Sequence, residues 1–262
     1  MKTRKILNYL YHMFPLSIAR KNHDYCGVMV NPLPLETKKI LLCLDFEEEL
    51  FPLVDEFHPD LIITHHPFIY GPSRKEVLKN DETRKKWYDG LKERNIALCS
   101  FHTNFDEGKG GMNDVLASML ELKDVYSPSE AQVMRIGYLE NEMSRDTFVE
   151  YAREKLEVSY GLFMGYGKEN IKKVGIIGGG GASFFRYAIK EDVDIYISGD
   201  APHYIRRDVV NAHFNYLDVP HEVERVFMKR MKELLLKLDD TLDICIVDHE
   251  REPKCIIGPL NR

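Results

Sequence analysis

Short apolar runs, each too brief for a helix of its own, recur along the chain and alternate with polar stretches of helical spacing. The runs are KKILLCLD (38–45), DLIITHH (60–66), NIALCSF (95–101), MRIGYLE (134–140), KVGIIGG (173–179), VDIYISGD (193–200) and LDICIVD (242–248). Such runs read as strands buried on both faces. The stretches 47–57, 82–94, 112–122, 144–156 and 222–238 carry helical periodicity, and Ile6, Leu7, Leu10, Tyr11 and Phe14 space an amphipathic first helix. The alternation predicts an α/β fold in layers. At 262 residues the chain suits one large domain or two lobes. The SPSEA stretch at 127–131 divides it into an N-terminal lobe, 1–127, and a C-terminal lobe, 128–262, free to interleave as one compact unit.

A net charge of −6 argues against a general nucleic-acid surface but leaves room for a small anionic substrate. No apolar run reaches membrane length, and the N-terminus lacks the long apolar core of a signal peptide. Cys26, Cys43, Cys99, Cys245 and Cys255 are scattered, with no CxxC pair. That usage fits the cytoplasm.

Three strand ends carry chemistry. Thr64-His65-His66-Pro67 closes the run DLIITHH. In open α/β sheets ligands gather at the carboxyl ends of strands, and adjacent imidazoles there can point at two ions. SFHTNFDEGKGGMND (100–114) follows the next run and offers His102 and Asp106, with Asn113 or Asp114 to cap a helix starting near Val115. NYLDVPHEVERVF (215–227) places His221 and Glu224 three residues apart, on one face of a helix. Taken singly, each has a plainer reading: a surface histidine pair, a turn residue, a capped helix start. Together they supply three imidazoles and two carboxylates, His65, His66, Asp106, His221 and Glu224, with His102 as a further ligand or an orienting partner. Nitrogen and oxygen donors without cysteine suit Zn, Mn or Fe. The glycine run at 178–181 is either a tight strand-to-helix turn or a phosphate cradle, and lacks the Lys-Ser/Thr of a P-loop. In SGDAPHY (198–204), Asp200 and His203 could face the same cleft.

These segments, in this order, resemble the GTP cyclohydrolase 1 type 2 homologues, also called NIF-three-like dinuclear metal proteins. His-His-Pro, His-Thr-Asn-x-Asp and His-x-x-Glu carry the resemblance, with VGIIGGGGASF and LDVPHEVERVFM around them. It implies two related α/β lobes with a dinuclear metal site in the cleft between them, Glu224 bridging the ions, and a homohexamer. The spacing of the motifs matches the compact form, without an inserted middle domain. Two departures stand out. Asn22-His23-Asp24-Tyr25-Cys26-Gly27 replaces a Glu-Trp-Asp-Asn type of segment, and Tyr204 stands where a histidine is usual, with His203 one residue earlier.

The resemblance implies a metal-dependent hydrolase acting on a small molecule, a nucleotide among the candidates: purine ring opening with release of formate, or phosphoester cleavage, with His102 or His203 moving protons. The same ligands would equally serve a non-catalytic metal-binding scaffold or a regulatory partner-binding protein. A plain nucleotide-binding module built on the glycine run is a third reading.

Overall fold

Uninterrupted Leu, Ile and Val runs bury both faces of a strand, so they settle inside sheets that are covered on each side. The computed structural model describes residues 1–251 and 253. Among these, the strands in chain order are β1 (Gly27–Val30), β2 (Lys39–Cys43), β3 (Leu61–Thr64), β4 (Ala97–Ser100), β5 (Lys123–Tyr126), β6 (Arg135–Ser144), β7 (Leu162–Gly165), β8 (Asn170–Ile176), β9 (Ile195–Ser198), β10 (Asn215–Asp218) and β11 (Asp243–Ile246). They form two sheets. No helix among the described residues is long and apolar enough to cross a membrane.

The chain divides into two units. The first joins Met1–Val115 to Arg225–Asp248, and the second holds Leu116–Glu224 with the described residues after Asp248. The first unit contains the sheet β1-β4-β3-β2-β11. Strands β11, β2, β3 and β4 run parallel, and β1 closes the edge antiparallel to β4. β3 and β4 are buried at every residue. Leu41, Cys43, Ile62 and Leu98 pack with Phe46, Phe68 and Leu91 on one side. The helix Val226–Leu238 buries Val226, Phe227, Met228, Met231, Leu234 and Leu235, and packs on β2 and β11.

The second unit contains β5-β6-β8-β9-β10-β7. Here β8, β9 and β10 are parallel, and the flanking strands are antiparallel. Met134, Ile136, Phe185, Tyr196 and Tyr216 centre its core. In both units adjacent parallel strands, four in the first and three in the second, bring their carboxyl ends to one sheet edge, where an open α/β sheet presents its functional groups.

The structure moves several sequence boundaries. Residues 127–131 join β5 to β6, an antiparallel pair, and so lie within the second unit rather than between lobes. Residues 225–248 return to the first unit because β11 pairs with β2. The helix expected near Val115 begins at Met112 and takes in Asn113 and Asp114. Asn113 donates to the Asp106 carbonyl instead, at 3.2 Å. β1 (GVMV), β5 (KDVY) and β7 (LFMG), four residues each and at sheet edges, fall outside the apolar runs read from the sequence. Cys255 lies outside the described residues, and no disulfide joins the four described cysteines.

Candidate metal centre

Parallel pairing fixes the first half of the site. Cys43, Thr64 and Ser100 stand level across β2, β3 and β4. The residues just beyond them, Asp45, His65 with His66, and His102, therefore emerge side by side. Backbone bonds hold the corner: His65 N–H donates to the Leu44 carbonyl at 3.1 Å, His66 N–H to the same carbonyl at 3.0 Å, and Phe101 N–H to Thr64 at 2.9 Å. The Thr64 and Ser100 hydroxyls pair at 2.8 Å beneath it. The rings of His65, His66 and His102 lie 5.0–5.7 Å apart, centroid to centroid. One nitrogen from each falls within 4.8 Å of the others, a spacing at which all three could serve a metal.

Each of these rings is backed at Nδ1 by an oxygen. His65 Nδ1 lies 2.8 Å from the Phe101 carbonyl, His66 Nδ1 2.5 Å from Asp45 Oδ2, and His102 Nδ1 2.9 Å from Asp24 Oδ2. A carbonyl only accepts, so His65 Nδ1 carries the proton and Nε2 presents its lone pair. Ionised carboxylates impose the same tautomer on the other two. That arrangement orients imidazoles for metal binding. His65 is fully buried, with Phe227 at 5.0 Å and Phe105 at 6.4 Å between ring centroids. His65 Nε2 and Asp106 Oδ1, both shut off from solvent, face each other at 3.5 Å. Donors bound to one tetrahedral ion at roughly 2.0–2.1 Å stand about 3.4 Å apart, so the separation fits a shared cation.

Asp24 is the anchor of this corner. Its carboxylate accepts from His102, from the Thr103 N–H and hydroxyl, from the Tyr25 N–H and from the Cys26 thiol. Burial alone would raise its pKa. The hydrogen bond and charge of His102, with the Thr103 and Tyr25 bonds, reverse that and hold it well below the carboxylate range. Asp45 behaves alike: burial opposes ionisation, and the bond and charge of His66 outweigh it. Cys26 is pushed far up, mainly by burial and then by Asp24, and stays a neutral donor.

The second unit repeats the device at the ends of β8, β9 and β10. His221 and Glu224 lie on a 3-10 turn, His221–Arg225, where the sequence predicts an α-helical face. In a 3-10 turn positions i and i+3 eclipse, which brings the pair closer than an α-helix would. His221 Nε2 is 3.1 Å from Glu224 Oε2, and His221 Nδ1 is 2.6 Å from Asp200 Oδ2. The Glu224 bond, then its charge and those of Asp200, raise the His221 pKa to about 9 against the opposing effect of burial. A histidine between two carboxylates calls for positive charge, whether proton or metal.

The glycine run underlies this pair. Gly179 has φ +63, and a Cβ there would stand 1.9 Å from Glu224 Oε1 and 3.1 Å from His221 Nε2. Its missing side chain is the space that Glu224 fills. Asp200, at φ +59, holds a left-handed conformation as it turns its carboxylate to His221. His203 opens the helix His203–Asn211 from an exposed position, and Tyr204 beside it is 65% exposed.

A sequence profile described as Duf34/NIF3 (NGG1p interacting factor 3) matches residues 1–253. The chain belongs to the Duf34/NIF3 family. A Clostridium perfringens protein named GTP cyclohydrolase 1 type 2 homolog is 30% identical over 261 residues, covering 97% of this chain and 98% of that one. The Bacillus subtilis protein of the same name aligns over 340 residues with 87% of this chain at 20% identity, so that relative carries residues this Duf34/NIF3 member lacks. That agrees with the compact form. Among solved structures, reduced HcgD from Methanocaldococcus jannaschii superposes with a TM-score of 0.80 at 26% identity, covering 95% of this chain and 98% of that one. A Bacillus cereus protein related to NIF3 gives 0.83 at 19% identity, covering 98% and 99%, and shares the fold.

In this family member the structure gathers His65, His66, His102 and Asp106 in the first unit, and His221 and Glu224 in the second. Gly179 is marked in the sequence only as one of a glycine run, and Asp45 only as the last residue of an apolar run. Asp24 is marked only in hindsight, as the acidic residue in the departing N-terminal segment.

Proposed function

We propose that His65, His66, Asp106, His221 and Glu224 of this chain would hold two divalent ions of the Zn, Mn or Fe class, and that the site so formed would hydrolyse a small molecule. The observation that carries this reading is the backing of the three ligand imidazoles at Nδ1, which makes Nε2 the atom that each of His65, His66 and His221 would offer a metal. When bound, such ions supply Lewis acidity that makes water nucleophilic near neutral pH.

The chain's own groups do the rest. Asp45, Asp200 and the Phe101 carbonyl orient imidazoles. Phe105 and Phe227 keep the His65 side dry. His102, partly exposed and braced by Asp24, holds or moves a proton at Nε2, with His203 as the second candidate for that task. The relatives' name suggests purine ring opening with loss of formate; phosphoester cleavage suits the same groups. The protein works in the cytoplasm as a homo-oligomer, a hexamer by family resemblance, which light scattering tests.

Gently purified protein is expected to carry close to two ions per chain by elemental analysis. Asp45→Ala should weaken metal retention by about 10- to 100-fold, the usual cost of losing a ligand's orienting partner. Protein that takes up no transition ion at micromolar concentrations ends the proposal. Glu224→Gln with metal retained separates catalysis from the scaffold reading: lost turnover of GTP or simple phosphoesters supports hydrolysis, and intact cellular function favours a scaffold.

A further inference from the structure

Two recesses in the second unit open side by side. The first, about 390 Å³, is lined by His221 together with Asp200, Arg206, Asp218 and Glu222. The second, about 480 Å³, is walled by Val149, Val158, Phe163 and Leu217. Tyr160, Leu162 and Val219 line both, so the two recesses adjoin at these side chains. Each falls within the size range of small-molecule pockets, and their polarity changes from one end to the other. The polar recess sets three carboxylates, of which Asp200 is held by His221 at 2.6 Å, against the Arg206 guanidinium and the His221 imidazole. Among the described residues, Asp218 accepts long hydrogen bonds from the Ala201 N–H, at 3.4 and 3.3 Å. Leu162 is 50% exposed on β7, the edge strand, and offers apolar surface to an occupant.

We propose that the paired recesses are the substrate site, the polar one taking a head rich in N–H donors, an amine or amidine, and the apolar one an aromatic or aliphatic body. This deepens the hydrolytic reading and rests on it, because it seats the head beside His221. Carboxylate accepts N–H donors in short, charge-assisted bonds, and a carboxylate head in the same place meets like charge. The apolar body covers Leu162, Val158 and Val219 and removes them from water.

Benzamidine and benzoate share a ring and differ in the head, which makes them the probes. Titration of the protein as purified, followed by ligand-observed NMR, is expected to show benzamidine binding at least tenfold more tightly than benzoate. Asp218→Ala should weaken benzamidine about tenfold, the loss of a charge-assisted bond. Leu162→Asn should weaken it about fivefold through lost apolar contact. Both variants should keep their metal content per chain, which a misfolded variant would not. Benzoate binding as well as benzamidine, or an affinity indifferent to both substitutions, overturns the assignment. A preparation that takes up no metal but still binds benzamidine with these dependences sinks the metal reading and upholds this one.

Discussion

Gly179→Ala is expected to lower divalent-metal retention by at least tenfold while leaving the circular dichroism of the protein intact. Two independent costs meet at this residue. The backbone at φ +63 disfavours any Cβ by about 1 kcal/mol. The added methyl would stand 1.9 Å from Glu224 Oε1 and 2.7 Å from its carboxyl carbon, so the carboxylate has to leave its place. Glu224 is 3% exposed and pairs with His221 at 3.1 Å, and its displacement removes a proposed ligand and disturbs a second. Gly180→Ala is the matched control. A Cβ there meets its nearest neighbour, Asp200 Oδ2, at 3.5 Å, an ordinary contact, and the residue is exposed. Metal content measured on both variants distinguishes a bed for Glu224 from a generic need for glycine. Equal behaviour of the two would remove Gly179 from the account of the site.

This glycine shows where reading the sequence stops. The run at 178–181 marks a turn, but its residue-by-residue purpose depends on Glu224, some 45 positions away, and only the folded chain brings the two together. The parallel strands β2, β3, β4 and β9 were legible because burial on both faces forces continuous apolar runs. Edge strands have no such demand on composition, and β5, exposed at every residue, has no apolar run to mark it. His65 and His66 stood out as a pair at a strand end, whereas Asp45, the last residue of the run KKILLCLD, is a lone acid followed by Phe46 and three more acids. What singles out Asp45 is its distance to His66, a tertiary fact. The His221–Glu224 spacing was read correctly as a facing pair but on the wrong helix type. Pro220 accepts from the Val223 N–H at 3.1 Å, an i to i+3 bond that tightens the turn.

Asp24→Ala is expected to destabilise the metal-stripped protein by about 3 kcal/mol at pH 7, the scale for breaking a buried, hydrogen-bonded charge pair. The Asp24 side chain is 4% exposed, and the substitution strips acceptors from His102 Nδ1, the Thr103 N–H and hydroxyl, the Tyr25 N–H and the Cys26 thiol together. The pH dependence follows from the sign of its shift. A carboxyl whose folded pKa lies below its unfolded value of about 4 contributes its full stability above that value and loses it as the pH falls toward the folded one. Urea unfolding of wild type and variant should therefore show a gap that is constant from neutrality down to about pH 5 and narrows below pH 4. A gap that stays the same width into acid would mean that Asp24 is held by shape and not by charge. His102 would then lack the ionised partner that fixes its tautomer, and its role as a proton carrier would fall with it.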